Sequence, residues 1–91
     1  LMQLLWRPMA LDDRAKIMEH ISHDNPAAAL ALDETFEAKA QYATNRPTLY
    51  KIGRVTGTRE IVVLPNYVMV YRIKPDALEI LRILHARQQW P

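Results

Sequence analysis

The hydrophobic pattern of this chain changes period once, at Asn45-Arg46-Pro47, and that change limits what it can fold into. Upstream, Leu11, Ala15, Met18 and Ile21 recur at helical spacing, with Ile17 beside them. Asp12, Asp13, Lys16, Glu19 and His20 fill the other side of the same stretch. Downstream, the residues alternate and are β-branched, as half-buried strands require. A chain of helices followed by strands points to an α+β layer fold.

Residues 2–7 are short and apolar, and Pro8 closes them, so they read as an edge strand. A first helix is expected from Met9 to Ser22 or His23. Asp24-Asn25-Pro26 restarts the helix: Asn25 can cap it, and Pro26 suits the first position, where no N–H partner exists. The second helix should run to about Thr44, with Ala29, Leu32, Phe36, Ala40 and Tyr42 as its apolar stripe. So short a break makes the pair an antiparallel hairpin.

Three strands are then expected, Arg59 to Leu64, Tyr67 to Ile73 and Ala77 to Leu84. Pro65-Asn66 and Lys74-Pro75-Asp76 are the turns of an antiparallel meander. Gly53 and Gly57 bracket a loop ahead of it. In the last strand, alternation puts Leu81 with Ile83 on one face and Arg82 with Leu84 on the other. The fold is therefore a single domain over residues 1–91. The helices lie on one face of a small, mostly antiparallel sheet and leave the other face open.

Composition narrows the function. No cysteine is present among the 91 residues, which removes disulfides, thiolate metal sites and a Cys nucleophile. No stretch approaches the ~20 apolar residues of a membrane span, and Arg7-Pro8 with Asp12 and Asp13 break any secretory signal pattern. Charge is split along the chain. Residues 1–45 hold four basic against seven acidic groups, and residues 46–91 hold eight basic against three acidic. That asymmetry suits an acidic or polyanionic partner for the second half; a solvated surface is the plain alternative.

Guanidinium matches phosphate geometry in a planar, permanently charged fork. Arg54 and Arg59 flank Gly57, Arg82 sits in the last strand and Arg87 just beyond it. Arg72 and Arg82 could equally be sheet-edge charges that block edge pairing. His85 is the lone histidine of the basic half, and histidine can move a proton near neutral pH. RNA cleavage needs a proton acceptor, a proton donor and cations on the charged transition state. His85 with Arg82 and Arg59 is a sufficient set, and it uses no metal or cofactor. Tyr67 and Trp90 could stack bases, whereas Tyr71, in phase with Met69 and Ile73, reads as core. His20 and His23 read as ordinary helix-end histidines.

The ordered set Gly57-Thr-Arg-Glu-Ile-Val-Val, Pro65-Asn-Tyr-Val-Met-Val-Tyr-Arg and Arg82-Ile-Leu-His-Ala-Arg-Gln resembles the RelE/ParE superfamily of bacterial toxins. Asp24-Asn-Pro-Ala-Ala-Ala resembles that superfamily's start of the second helix. The resemblance implies a growth-arresting toxin in the bacterial cytoplasm, neutralised by a cognate antitoxin. Its RelE branch cleaves mRNA on the ribosome, and that is the activity expected first here, with gyrase inhibition as the alternative. On that reading His85, Arg82 and Arg59 would be catalytic, and Arg54, Arg87, Trp90 and Tyr67 would hold RNA. Its ParE branch inhibits DNA gyrase and needs no nuclease groups. Arg82-Ile-Leu-His85 resembles that branch's final strand, and the chain has no tyrosine near its end.

Overall fold

Two prolines fix where the helices start. The computed structural model describes residues 2–64 and 66–91. After β1 (Gln3–Trp6), α1 (Pro8–Ser22) opens on Pro8 with Arg7 as its extended N-cap residue. In α2 (Pro26–Asn45), Asn25 caps by accepting the Ala28 N–H at 3.0 Å. Then come β2 (Lys51–Ile52), β3 (Arg59–Val63), β4 (Tyr67–Ile73) and β5 (Ala77–His85). Pro65 of the expected Pro65-Asn66 turn lies outside the described residues.

The strand order is β1-β5-β4-β3-β2. β1 runs parallel to β5 and sits on an edge, as the sequence suggests, while the other pairings are antiparallel. β2 was not expected: two residues, Lys51 and Ile52, just ahead of the loop bracketed by Gly53 and Gly57, pair with Glu60 and Arg59. The Gly53 amide donates to the Thr58 carbonyl at 2.8 Å and closes that loop, and Gly57 turns it at φ 85°. Only glycine adopts that angle without strain.

Both helices cover one face of the sheet. Leu32, Phe36, Ala40 and Ala43 of α2 and Ala10 of α1 pack on Ile61, Val63, Met69, Tyr71, Leu78, Ile80 and Ile83. Tyr71 is fully buried, as expected, and its hydroxyl donates to the Pro47 carbonyl. Two stripe assignments need correction. Leu11 and Ala15 face solvent, and Ala10, Ile17, Met18 and Ile21 take the inward side of α1. Tyr42 is exposed, and Ala43 takes its inward place. The rest of each stripe holds: Met18 and Ile21 of α1 pack on the core, and Ala29, Leu32, Phe36 and Ala40 of α2 are buried.

Strict alternation also fails in β5. The register slips between Val70/Tyr71, so that Arg82 faces Val70 but Ile80 faces Tyr71, and Leu81 has no partner. This bulge puts Leu81 with Leu84, Val68 and Val70 on the outer face, while Ile83 stays in the main core. Nor is the outer face open. The chain end folds back, and Trp90 packs on the Val68, Val70 and Leu84 cluster. No helix among the described residues is long and apolar enough to cross a membrane.

Candidate functional site

β5 carries His85 at its end, directly opposite Tyr67 of β4. The two rings meet edge to face with centroids 5.8 Å apart, and Tyr67 in turn meets Phe36 at 5.9 Å. The imidazole Nδ1 accepts the Arg87 backbone N–H at 3.2 Å, so the neutral ring carries its proton on Nε2. Gln88 completes the turn, its Oε1 accepting the His85 N–H at 3.2 Å. His85 is exposed, and it borders a cleft of about 380 Å³ shared with Lys16, Ile17, His20, Tyr67 and Arg82. In sequence Lys16 reads as part of the polar side of the first helix and His20 as an ordinary helix-end histidine, whereas both line this cleft. The signal was present: residues 13, 16, 17 and 20 share one face of α1, and that face closes over the end of β5.

Arg82 is not free in this cleft. Its Nε and Nη2 donate to the two oxygens of Asp13 at 2.7 and 3.0 Å, and both side chains are about five-sixths buried, 16% and 15% exposed. Asp13 Oδ2 also accepts the Ile83 N–H at 2.9 Å. The reason is topological. β1 ends at Trp6 opposite Ile80, so beyond that point β5 presents an unpaired edge. Asp13 takes over as the edge's acceptor, and Arg82 neutralises it. The carboxylate in turn holds the Arg82 guanidinium above its ordinary range.

The other arginines go elsewhere. Arg59 faces Tyr71, four positions along β4 from the Tyr67–His85 pair, about 13 Å at strand rise. Its guanidinium donates to the carbonyls of Tyr50 at 2.7 Å and Thr48 at 3.4 Å. Arg54 turns to the outer face. Its Nε and backbone N–H each meet Glu60 Oε2 at 2.9 Å, and its Nη1 reaches the Gln88 carbonyl at 3.4 Å. The hydrogen bond from Arg54 holds the Glu60 carboxyl below its usual range, against burial, which raises it. Arg87 is exposed beside His85, and Trp90 lies on the outer face. The structure thus gathers His85, Tyr67 and Arg82 around one cleft with Arg87 beside His85, while Arg59 stands apart, Arg54 reaches only the Gln88 carbonyl, and Trp90 meets Arg82 in a different hollow.

The outer face holds a second cluster. Glu79, 4% exposed, accepts Arg72 Nε at 2.6 Å and Arg7 Nη1 at 3.5 Å. Arg7 escapes a sequence reading because only the parallel β1–β5 pairing brings the start of the chain next to β4 and β5. Among the described residues no group of three or more His, Cys, Asp or Glu could hold a metal ion.

Comparison with known proteins agrees with this architecture. The family model for the ParE toxin of the type II toxin–antitoxin system parDE matches residues 4–90. A putative toxin, Y4kP, of Sinorhizobium fredii is 38% identical over 95 residues, covering 98% of this chain and 93% of the relative. The toxin RelE2 of Caulobacter vibrioides is 31% identical over 84 residues, covering 92% and 94%. In structure, a chain of the chromosomal ParDE toxin–antitoxin system from P. aeruginosa superposes with a TM-score of 0.85 at 21% identity, covering 94% of this chain and 97% of that one. A conserved hypothetical protein from Helicobacter pylori follows at 0.59 and 19%, covering 93% and 94%. The chain belongs to the ParE toxin family of type II toxin–antitoxin systems, within the RelE/ParE superfamily.

Proposed function

We propose that this toxin arrests growth by binding DNA gyrase rather than by cutting RNA, and that its cognate antitoxin holds it inactive. The carrying observation is the Asp13–Arg82 pair. A nuclease needs cations free to meet charge that develops on the scissile phosphate. Arg82 is engaged on both Nε and Nη2, Arg54 is engaged by Glu60, and Arg59 stands a long way down the sheet from His85. Asp13 also already fills the guanidinium fork of Arg82 that a phosphate would need. A protein target asks for something different, namely exposed apolar side chains on a rigid frame. Val62 and Leu64, two positions apart on and just beyond β3, are 54% and 76% exposed, and Ile52 on β2 is 67% exposed.

The second reading, ribosome-dependent mRNA cleavage, rests on the cleft in which His85 meets Lys16, His20 and Tyr67. One pair of assays separates the two. Purified chain should block supercoiling of relaxed plasmid by gyrase. In a reconstituted translation system it should leave the message intact by primer extension. New 5′ ends at A-site codons, with supercoiling unaffected, would overturn the gyrase reading and make His85→Ala the next variant.

A further inference from the structure

The arginines of the outer face are not all balanced. Arg7 and Arg72 share the single carboxylate of Glu79, and both side chains stay about half in water, 53% and 44% exposed. Arg72 makes the short contact at 2.6 Å, and Arg7 reaches the same group only at 3.5 Å. One positive charge therefore remains beside a hollow of about 260 Å³, lined by Arg7, Met9, Arg72, Leu81, Arg82 and Trp90. The lining is of two kinds. Guanidinium groups stand beside a half-buried indole, Leu81 and Met9, the last 60% exposed.

That combination selects a ligand with an anionic group next to a flat ring. Paired guanidinium groups suit the oxygens of a phosphate, and an indole suits a nucleobase face. An extended peptide is served less well. The strand-edge groups bordering the hollow are already taken: the Ile80 carbonyl by the Arg7 N–H at 2.9 Å, and the Ile83 amide by Asp13. No backbone ladder is on offer there. We infer that this hollow binds a nucleoside monophosphate, free or as the 5′-phosphorylated end of a nucleic-acid strand, with the phosphate on Arg7 and Arg72 and the base against Trp90. The inference rests on the outer face alone and does not depend on which target the toxin attacks.

The chain has two tryptophans, so a Trp6→Phe background leaves Trp90 as the only indole reporter. Titration with adenosine monophosphate should quench its fluorescence to saturation. Arg7→Gln, which leaves the Arg72–Glu79 pair in place, should weaken binding about tenfold, the effect of losing one charged contact. Arg7→Lys should recover part of it. A 5′-phosphorylated trinucleotide that binds as well as the mononucleotide, while its 5′-hydroxyl counterpart does not, assigns the site to strand ends. Binding of the mononucleotide alone assigns it to the free nucleotide. Should Trp6→Phe fail to fold, the Trp90 indole N–H resonance of the unaltered chain gives the same titration. Adenosine binding as tightly as its monophosphate, or Arg7→Gln binding unchanged, would overturn the proposal.

Discussion

The two faces of the sheet are made by alternate residues of the same strands, yet they are held by different physics. The inner face closes on Phe36, Ile61, Met69, Leu78 and Ile80, all without solvent exposure, and Tyr71 is the one polar side chain in that cluster. The outer face has a narrow apolar strip, Val68, Val70 and Leu84, roofed by Leu81 and Trp90. Two buried acids flank the strip: Glu60 held by Arg54, and Glu79 held by Arg72 and Arg7. The inner face derives its stability from burial. The outer face depends on ion pairs whose basic members remain partly wet, and such pairs add little stability each. The acids of those pairs are nonetheless buried, so losing a basic partner would strand a carboxylate, a different kind of cost from the loss of packing.

If that contrast holds, the largest single loss comes from the inner face. Phe36 is fully buried and meets the edge of Tyr67, so Phe36→Ala should cost about 3–5 kcal/mol. Typical stability for a chain of this size is of order 5–14 kcal/mol, so the variant will be marginal. Urea midpoints read the effect directly. A loss under about 1 kcal/mol would mean that the helices are not packed as described.

Next comes the joint between helix and sheet edge. Asp13→Ala removes the acceptor for the Ile83 amide and leaves Arg82 unpaired, at about 2–3 kcal/mol. Replacing Asp13 and Arg82 together should recover part of that loss, because the stranded charge goes with its partner. A double variant as unstable as the sum of the two single variants would show that the pair does not couple.

How much of this was legible in the sequence depends on what each residue reports. Asn25-Pro26 marked the second helix to within a residue, because a cap and an N1 proline act locally. The strands at 59–63 and 67–73 were equally plain, since alternation is a local signal. Three features were hidden because they depend on distant parts of the chain. The β5 bulge is visible only in register with β4. The two residues of β2 carry no strand pattern of their own and are a strand only because β3 lies beside them. The Arg7–Glu79 contact spans 72 positions. Among the candidate residues, proximity in sequence was a fair guide for His85, Arg82 and Arg87, all near the end of one strand. It was a poor guide for Arg59, whose strand runs to the far end of the sheet. No local pattern shows that Arg82 already has a carboxylate partner on another element.

A smaller effect tests the roof of the outer face. Trp90→Ala should cost about 1–2 kcal/mol, since the indole is only half-buried on the Val68, Val70 and Leu84 strip. The same variant should expose that strip, read as increased binding of a hydrophobic dye with the far-ultraviolet spectrum unchanged. No change in either would mean that the chain end does not cover this face in solution.

The smallest expected effect, and the most selective for the outer face, is the response to acid. For Glu60, the hydrogen bond from Arg54 lowers the carboxyl's pKa and burial opposes it, with a net shift downward. For Glu79, burial raises the pKa, but the hydrogen bond and charge of Arg72, with Lys74 and Arg7 behind it, outweigh burial. Both folded values therefore lie below the unfolded value of about 4.3. Above that pH the unfolded and folded chains bind equal protons at these groups, and their contribution is constant. As pH falls below it, the unfolded chain takes up protons first, and stability declines until the folded carboxyls also titrate. Urea midpoints should thus be level through these two groups between about pH 7 and 5.5 and fall below about 4.5. Glu79→Gln should flatten the acid limb while leaving Phe36→Ala as damaging as before, because the inner cluster contains no carboxylate. An acid limb unchanged by Glu79→Gln and Glu60→Gln together would assign the loss to carboxylates elsewhere, and the two faces would then differ in packing but not in electrostatics.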